Sequence, residues 1–425
     1  MWIRISNALR GKLGINFFYI SLSQIVNYVF PLLTFPYLVR VLGLDGFGLY
    51  SFAAAFVMYF TLIVEYGFNI IGVKNIVENG NSPEIRSAVY SSIFFSRLLL
   101  FLIGLVVFSS IVFSVPKFRQ DYLLYLSSYS IIISSIVIPF WFYQAVEQMK
   151  YISIINTISK IISTALVFVL IKSKSDVALV PMLYTVASLV VGIISYKIIA
   201  KNFSVELNLS YCTSANILSY LKNGWHYFVS NLSISLYTST LPFLLGVFGT
   251  TQQVAYFTIP NKIISIVRMA FEPVTQTFFP HFSNLSITNE WNKINSLRQK
   301  LLIGGLLSLS MVCLSIFAFA PELLSKLFKV NSPESIFNLR IQIFIPVILW
   351  FHVIFGFFFI IVHNLKKLYS NIILWSSIIS IPVTLLLIYY FKDIGASWAL
   401  LLVEFFIGLA YIYYYFKNKN IVYAK

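Results

Sequence analysis

Twelve apolar runs, each long enough to cross a bilayer, leave this chain little freedom of fold. They fall at 14–39, 47–73, 89–115, 122–145, 151–171, 177–196, 217–248, 254–280, 301–321, 339–362, 368–391 and 394–416. About 20 apolar residues suffice to span the hydrocarbon, where a helix satisfies its own backbone groups. The gaps between runs are short, and none reaches the roughly 50 residues that a folded extramembrane domain needs. The expected fold class is therefore an all-α polytopic membrane protein with about 12 transmembrane helices. The composition agrees: 59% of residues are hydrophobic and 10% charged, and the mean hydropathy is +0.85. A soluble core needs nothing of the kind.

The formal net charge of +16 would suit a nucleic-acid partner, but no soluble basic domain carries it. Membrane orientation accounts for most of the excess. Seventeen Lys and Arg residues lie on the side of the N-terminus and nine on the other, which predicts that both termini are cytoplasmic. The opening MWIRISNALRGKLG carries cations ahead of a long apolar run without a small-residue cleavage site, and predicts an uncleaved first helix.

Four cations remain inside the spans: Arg97, Lys160, Lys262 and Arg268. They face three acids, Glu65, Glu272 and Glu404. An ionised side chain at the bilayer centre costs roughly 2.5–3.5 kcal/mol on insertion scales, so it normally faces a cavity or a partner. The stretch from 254 to 281 concentrates the problem, with Lys262, Arg268 and Glu272 among prolines 260, 273 and 280. It reads as the wall of a wet, positively charged passage. The plainer alternative is that Lys262 snorkels, while Arg268 and Glu272, four apart on one helix face, neutralise each other. Lys160 lies mid-span, too deep for easy snorkelling, whereas Arg97 lies nearer a helix end and admits either reading.

The halves of the chain repeat. Pro36, Gly43 and Tyr50 fall on Pro242, Gly249 and Tyr256 at an offset of 206. Gly192, Lys201 and Asn202 fall on Gly408, Lys417 and Asn418 at an offset of 216. Six helices per half make this a parallel repeat, a plan that transporters use for alternating access. The expected domains are 1–206 and 207–425, a six-helix bundle each.

No catalytic or cofactor chemistry is visible. Cys212 and Cys313 give neither a disulfide framework nor a thiolate site. His226, His281, His352 and His363 lack ligand spacing, so no metal or other cofactor is expected. No nucleophile motif, phosphate-cradling glycine loop or ATPase domain is present, and the chain is not expected to be an enzyme. Energy would come from an ion gradient, from the substrate's own gradient or from a partner.

Residues 34–76, TFPYLVRVLGLDGFGLYSFAAAFVMYFTLIVEYGFNIIGVKNI, resemble the opening signature of the Wzx-type polysaccharide flippases. These belong to the multidrug/oligosaccharidyl-lipid/polysaccharide (MOP) superfamily. PFWFYQAVEQMKYISIINTISKI at 139–161 resembles their junction between helices four and five. YFTIPNKI at 256–263 is similar to their eighth-helix start, and DIGASWALLLVEF at 393–405 to their last-helix motif. The resemblance implies two six-helix bundles in a V around a cationic lumen. It also implies transfer of undecaprenyl-diphosphate-linked oligosaccharide units from the cytoplasmic to the outer leaflet of the bacterial inner membrane. Membrane lipids, the pathway's polymerase and its chain-length regulator would be partners.

A diphosphate seeks Arg and Lys donors, and sugars seek aromatic faces, here 18% of residues. Lys160, Lys262 and Arg268 are thus candidates for the diphosphate or an acidic sugar, with Arg97 beside them. Arg40, in the PYLVR motif, would either grip the head group at the exit or anchor the outer interface. Glu65, Glu272 and Glu404 are candidates for ion coupling, or else structural partners of the lumen cations. Gly43, Gly46 and Gly48 are expected to permit a tight outer turn. The nearest rival is a cation-coupled multidrug exporter of the same superfamily, which would want an acidic cavity. A membrane glycosyltransferase or glycan polymerase would want a long catalytic loop, and no loop here is long enough.

Overall fold

A computed structural model describes residues 12–79, 82–238, 240–269, 271–288, 290–363 and 365–423. Each of the twelve expected spans is helical there, and no strand occurs among the described residues. Two helices are far too long for one crossing. Lys12–Glu65 has 54 residues, about 80 Å at 1.5 Å per residue. It breaks at Gly43 (φ 70°, ψ 178°), a conformation open essentially to glycine alone. Lys366–Tyr423 has 58 residues and breaks at Lys392 (φ 51°, ψ −126°), whose ammonium donates to the Phe248 carbonyl at 3.1 Å.

Other expected spans are interrupted. The 47–73 run ends its helix at Glu65, turns through Tyr66 (φ 41°) and Gly67 (φ 84°), and restarts as Phe68–Asn79. The 339–362 run is built of Pro333–Gln342, Ile345–Phe351 and a π-helical stretch, His352–Ile361. Eight stretches are long and apolar enough to cross a membrane, and Ser21–Asn79 and Lys367–Asn418 each carry two expected spans. Their outer faces suit lipid: on Trp291–Ala318, Leu307, Met311 and Leu314 are 69%, 73% and 61% exposed at helical spacing. This is a multi-pass membrane protein.

The chain divides into two compact units. One takes the described residues up to Gly46 together with Ala53–Leu232; the other takes Phe47–Phe52 and the described residues from Ser233 onward. The division at 232/233 falls inside the helix Ser214–Thr238. Close packing explains why Phe47–Phe52 belongs to the second unit. A Cβ on Gly48 would collide with the Thr251 carbonyl, and one on Gly246 with the Phe52 ring. Of the three glycines expected at this corner, Gly43 supplies the turn and Gly48 the close approach.

The first unit's core is aromatic. Phe56 stacks on Phe108 and Phe118 at centroid distances of 4.9 and 5.1 Å, and Tyr129 donates to the Phe101 carbonyl at 2.8 Å. A second cluster gathers Phe68, Tyr90, Trp141 and Phe142, with Gly72 letting Trp141 approach. In the second unit Phe282 stacks on Phe358 at 4.6 Å, and Trp350 sits over Gly305. Lipid tails are as apolar as these rings, so their contribution is close packing rather than escape from water.

The last-helix motif has a structural task. Asn338 donates to Asp393 Oδ2 at 2.6 Å, Ser397 donates to Asn338 Oδ1 at 2.6 Å, and Gln342 donates to Ser397 Oγ at 2.8 Å. Asn338 with Gln342, and Asp393 with Ser397, stand four apart, one turn along their helices. All four are buried, and the network fastens Pro333–Gln342 to the helix that follows Lys392.

Candidate functional site

The second unit holds a cavity of about 380 Å³. Thr251–Met269 brings Arg268 to it from its last turn, and Phe271–Ile287 brings Phe271, Glu272 and Thr275 from its first. The π-helical stretch brings His352 and Phe357, and the last long helix brings Tyr369, Glu404 and Tyr411. Arg268, Glu272 and Glu404 bring charge to the lining, and most of the rest is aromatic or aliphatic. A planar cation beside rings is a surface that binds phosphate oxygens and sugar faces.

Glu404 is buried, and His352 is its neighbour. His352 Nε2 lies 2.8 Å from the Glu404 backbone oxygen, and Nδ1 lies 3.6 Å from carboxyl Oε2. A carbonyl oxygen only accepts, so Nε2 carries the hydrogen, and in the neutral ring Nδ1 turns a lone pair toward the carboxyl. The Tyr411 ring meets the imidazole edge-on at 5.4 Å, and Tyr369 stacks on Tyr411 at 5.4 Å and 6°. Gly408 makes room: a Cβ there would stand 3.3 Å from Nε2. Arg268 interacts electrostatically with both Glu404 and His352. Extra residues per turn, as in a π-helix, recur at functional sites because they re-aim side chains within a span.

The structure thus brings together three of the eight residues singled out from sequence, Arg268, Glu272 and Glu404. Sequence reasoning missed His352. Its signal was a titratable ring inside the apolar stretch ILWFHVIFGFFF, passed over because its partner lies 52 residues away.

In the first unit Arg97 is buried. It donates from Nη1 to the Ser135 carbonyl at 2.5 Å and from Nη2 to Asn69 Oδ1 at 2.8 Å, with its guanidinium 5.9 Å from the Phe68 ring centroid. Glu65, at the helix break, interacts electrostatically with it. Through Asn69 and Ser135, Arg97 ties the helix that follows the Tyr66–Gly67 break to the Ile133–Val137 helix. Lys160 is half-buried on Met149–Leu170. One turn away, Asn156 donates to Ser23 Oγ at 2.8 Å and Asn27 Oδ1 at 3.0 Å, forming a polar strip within an apolar span. Arg40, just ahead of Gly43, and Lys262, on Thr251–Met269, are exposed. Among the described residues, neither Lys160 Nζ nor Lys262 Nζ has a hydrogen bond or ion pair.

The chain is thus a membrane protein whose helices carry buried and half-buried cations and, in the second unit, a cavity lined in part by charged residues. Solved structures agree on the fold: a multidrug-resistance MATE transporter of the MOP superfamily, in an inward-facing conformation, matches with a TM-score of 0.69. It is 13% identical, over 96% of this chain and 98% of that one.

The family follows from sequence. The model of the polysaccharide biosynthesis protein family matches residues 13–286, and the chain belongs to that family. That family match agrees with the polysaccharide-pathway resemblance of the sequence motifs. A protein of Escherichia coli (strain K12) named "Putative O-antigen transporter" is 29% identical over 98% of this chain and all of its own length. One of the same name from Shigella dysenteriae is 26% identical over 90% of this chain and 95% of its own.

Proposed function

We propose that this protein carries oligosaccharide units linked to undecaprenyl diphosphate from the cytoplasmic to the outer leaflet of the bacterial inner membrane. It does so by alternating access, for surface polysaccharide of the O-antigen or capsule kind. The observation that carries the reading is Arg268 in the lining of a largely aromatic and aliphatic cavity of the second unit. A diphosphate is a delocalised anion that a guanidinium grips through paired hydrogen bonds, and Phe271, Phe357, Tyr369 and Tyr411 offer flat faces to sugars. Lys160, beside the Asn156–Asn27 strip, supplies the same chemistry in the first unit. Both termini lie in the cytoplasm on the seventeen-to-nine cation count. The polymerase and chain-length regulator of the same pathway receive the product at the outer face.

Cells lacking the protein provide the test. Completed lipid-linked units are expected to accumulate on the cytoplasmic side, and re-expression to clear them. Normal arrival of these units at the outer face overturns the reading. The multidrug-exporter alternative would then be tested by drug accumulation.

A further inference from the structure

The repeat makes the His352–Glu404 pair conspicuous. At the offset of 216, Gly192 corresponds to Gly408 and Ser188 to Glu404. Each glycine is the seat of a residue from another span: a Cβ on Gly192 would stand 2.6 Å from Val137 Cβ, and one on Gly408 3.3 Å from His352 Nε2. The first unit thus fills this crossing with Val137 and Ser188, the second with His352 and Glu404. Packing alone is satisfied by a valine and a serine. A carboxyl and an imidazole in the same place, at a cavity wall, are costly to bury and need another reason.

We infer that His352 and Glu404 together bind one proton, and that this proton controls whether Arg268 is free to hold an anionic phosphate group in the cavity. The second half rests on the proposed function; the first does not. Nδ1 and Oε2, at 3.6 Å, are too far apart for a hydrogen bond. A proton on either atom draws them toward the roughly 2.7–2.9 Å of a charge-assisted bond. Without it, Glu404 is an anion whose charge attracts Arg268, which lines the same cavity. With it, the pair gains one positive charge and that attraction on Arg268 is cancelled. The other charged and titratable groups at the cavity are Glu272, from Phe271–Ile287, and Tyr369 and Tyr411, from the last long helix. A diphosphate bound by Arg268 and an ionised Glu404 repel each other across the cavity, so anion binding and proton uptake favour each other.

The test uses the full-length protein in liposomes, with infrared difference spectra recorded as pH is stepped. Imidazole and carboxyl bands are expected to titrate with one shared midpoint, as coupled groups do. Glu404→Gln or His352→Gln is expected to move the surviving partner's midpoint by at least one pH unit, a tenfold change in proton affinity. His352→Val, which copies the first unit's Val137, is the substitute if His352→Gln fails to fold. Independent titrations, each unmoved by loss of the other group, overturn the pair. In lightly buffered suspension, adding inorganic diphosphate should cause net proton uptake by the parent, absent in Glu404→Gln and in Arg268→Gln. No uptake by the parent overturns control of Arg268. None of these readings involves a glycan, so they stand or fall separately from the leaflet assay.

Discussion

Arg97 donates to the Ser135 carbonyl oxygen at 2.5 Å, joining two spans whose contact points lie 38 residues apart. With Asn69 as its second acceptor, the guanidinium is held in the wall of the first unit. Hydrogen bonds to a charged group are worth about 1.5–3 kcal/mol each. Arg97→Ala is expected to destabilise the protein by at least that much, read as a lower melting temperature in detergent. Export per folded molecule should stay near the parent's. A large loss of export at unchanged stability would instead make Arg97 a substrate ligand.

Lys160 and Arg268 have the opposite expectation. Lys160→Ala and Arg268→Ala should insert and melt like the parent while export falls roughly ten- to a hundredfold, the worth of one charge-assisted hydrogen bond. Surface glycan in a strain lacking the chromosomal copy, normalised to protein level, provides the measurement.

Gly48 and Gly304 separate close packing from open space. A Cβ at position 48 meets the Thr251 carbonyl, whereas one at position 304 meets nothing within 4 Å. Gly48→Ala should therefore cost about 1–3 kcal/mol through overpacking. Gly304→Ala, within a helix, should be stabilising by about 0.5–1 kcal/mol. Paired thermal-melt curves check both.

At the start of Trp291–Ala318, hydrogen bonds from Lys293 and then Thr288 hold the Glu290 carboxyl below its ordinary value. A depressed carboxyl contributes stability above its unfolded value and loses it as pH falls through the folded one. Glu290→Gln should thus lower the melting temperature slightly at neutral pH, with the difference from the parent vanishing in acid. A difference that persists in acid would assign the effect to packing.

What the sequence revealed follows the range of the forces involved. Ten of the twelve expected spans were legible as membrane-crossing stretches because hydropathy acts along a continuous run, and the corner at Gly43 because only glycine adopts its backbone there. The partners of the charges were not legible. Composition placed Arg97 and Arg268 in the same class, and what separates them is distant: Asn69 and Ser135 around one, Glu404 and His352 around the other. The four histidines show no ligand spacing along the chain, and the carboxyl beside His352 lies 52 residues away in sequence. The break at Lys392 was legible as the gap between the runs 368–391 and 394–416, but its left-handed backbone was not, since a turn rule would not choose lysine for it.

That lysine and Gly43 each break a long helix, with opposite chemistry, and mutation will treat them differently. At Gly43 the backbone itself dictates the residue, and Lys174 already lies over the only space where a Cβ could go. At Lys392 the left-handed φ is held by what the side chain reaches, the Phe248 carbonyl. In a saturation library the first corner should accept no replacement. The second should accept glycine, which trades an anchored arm for a backbone that turns unaided.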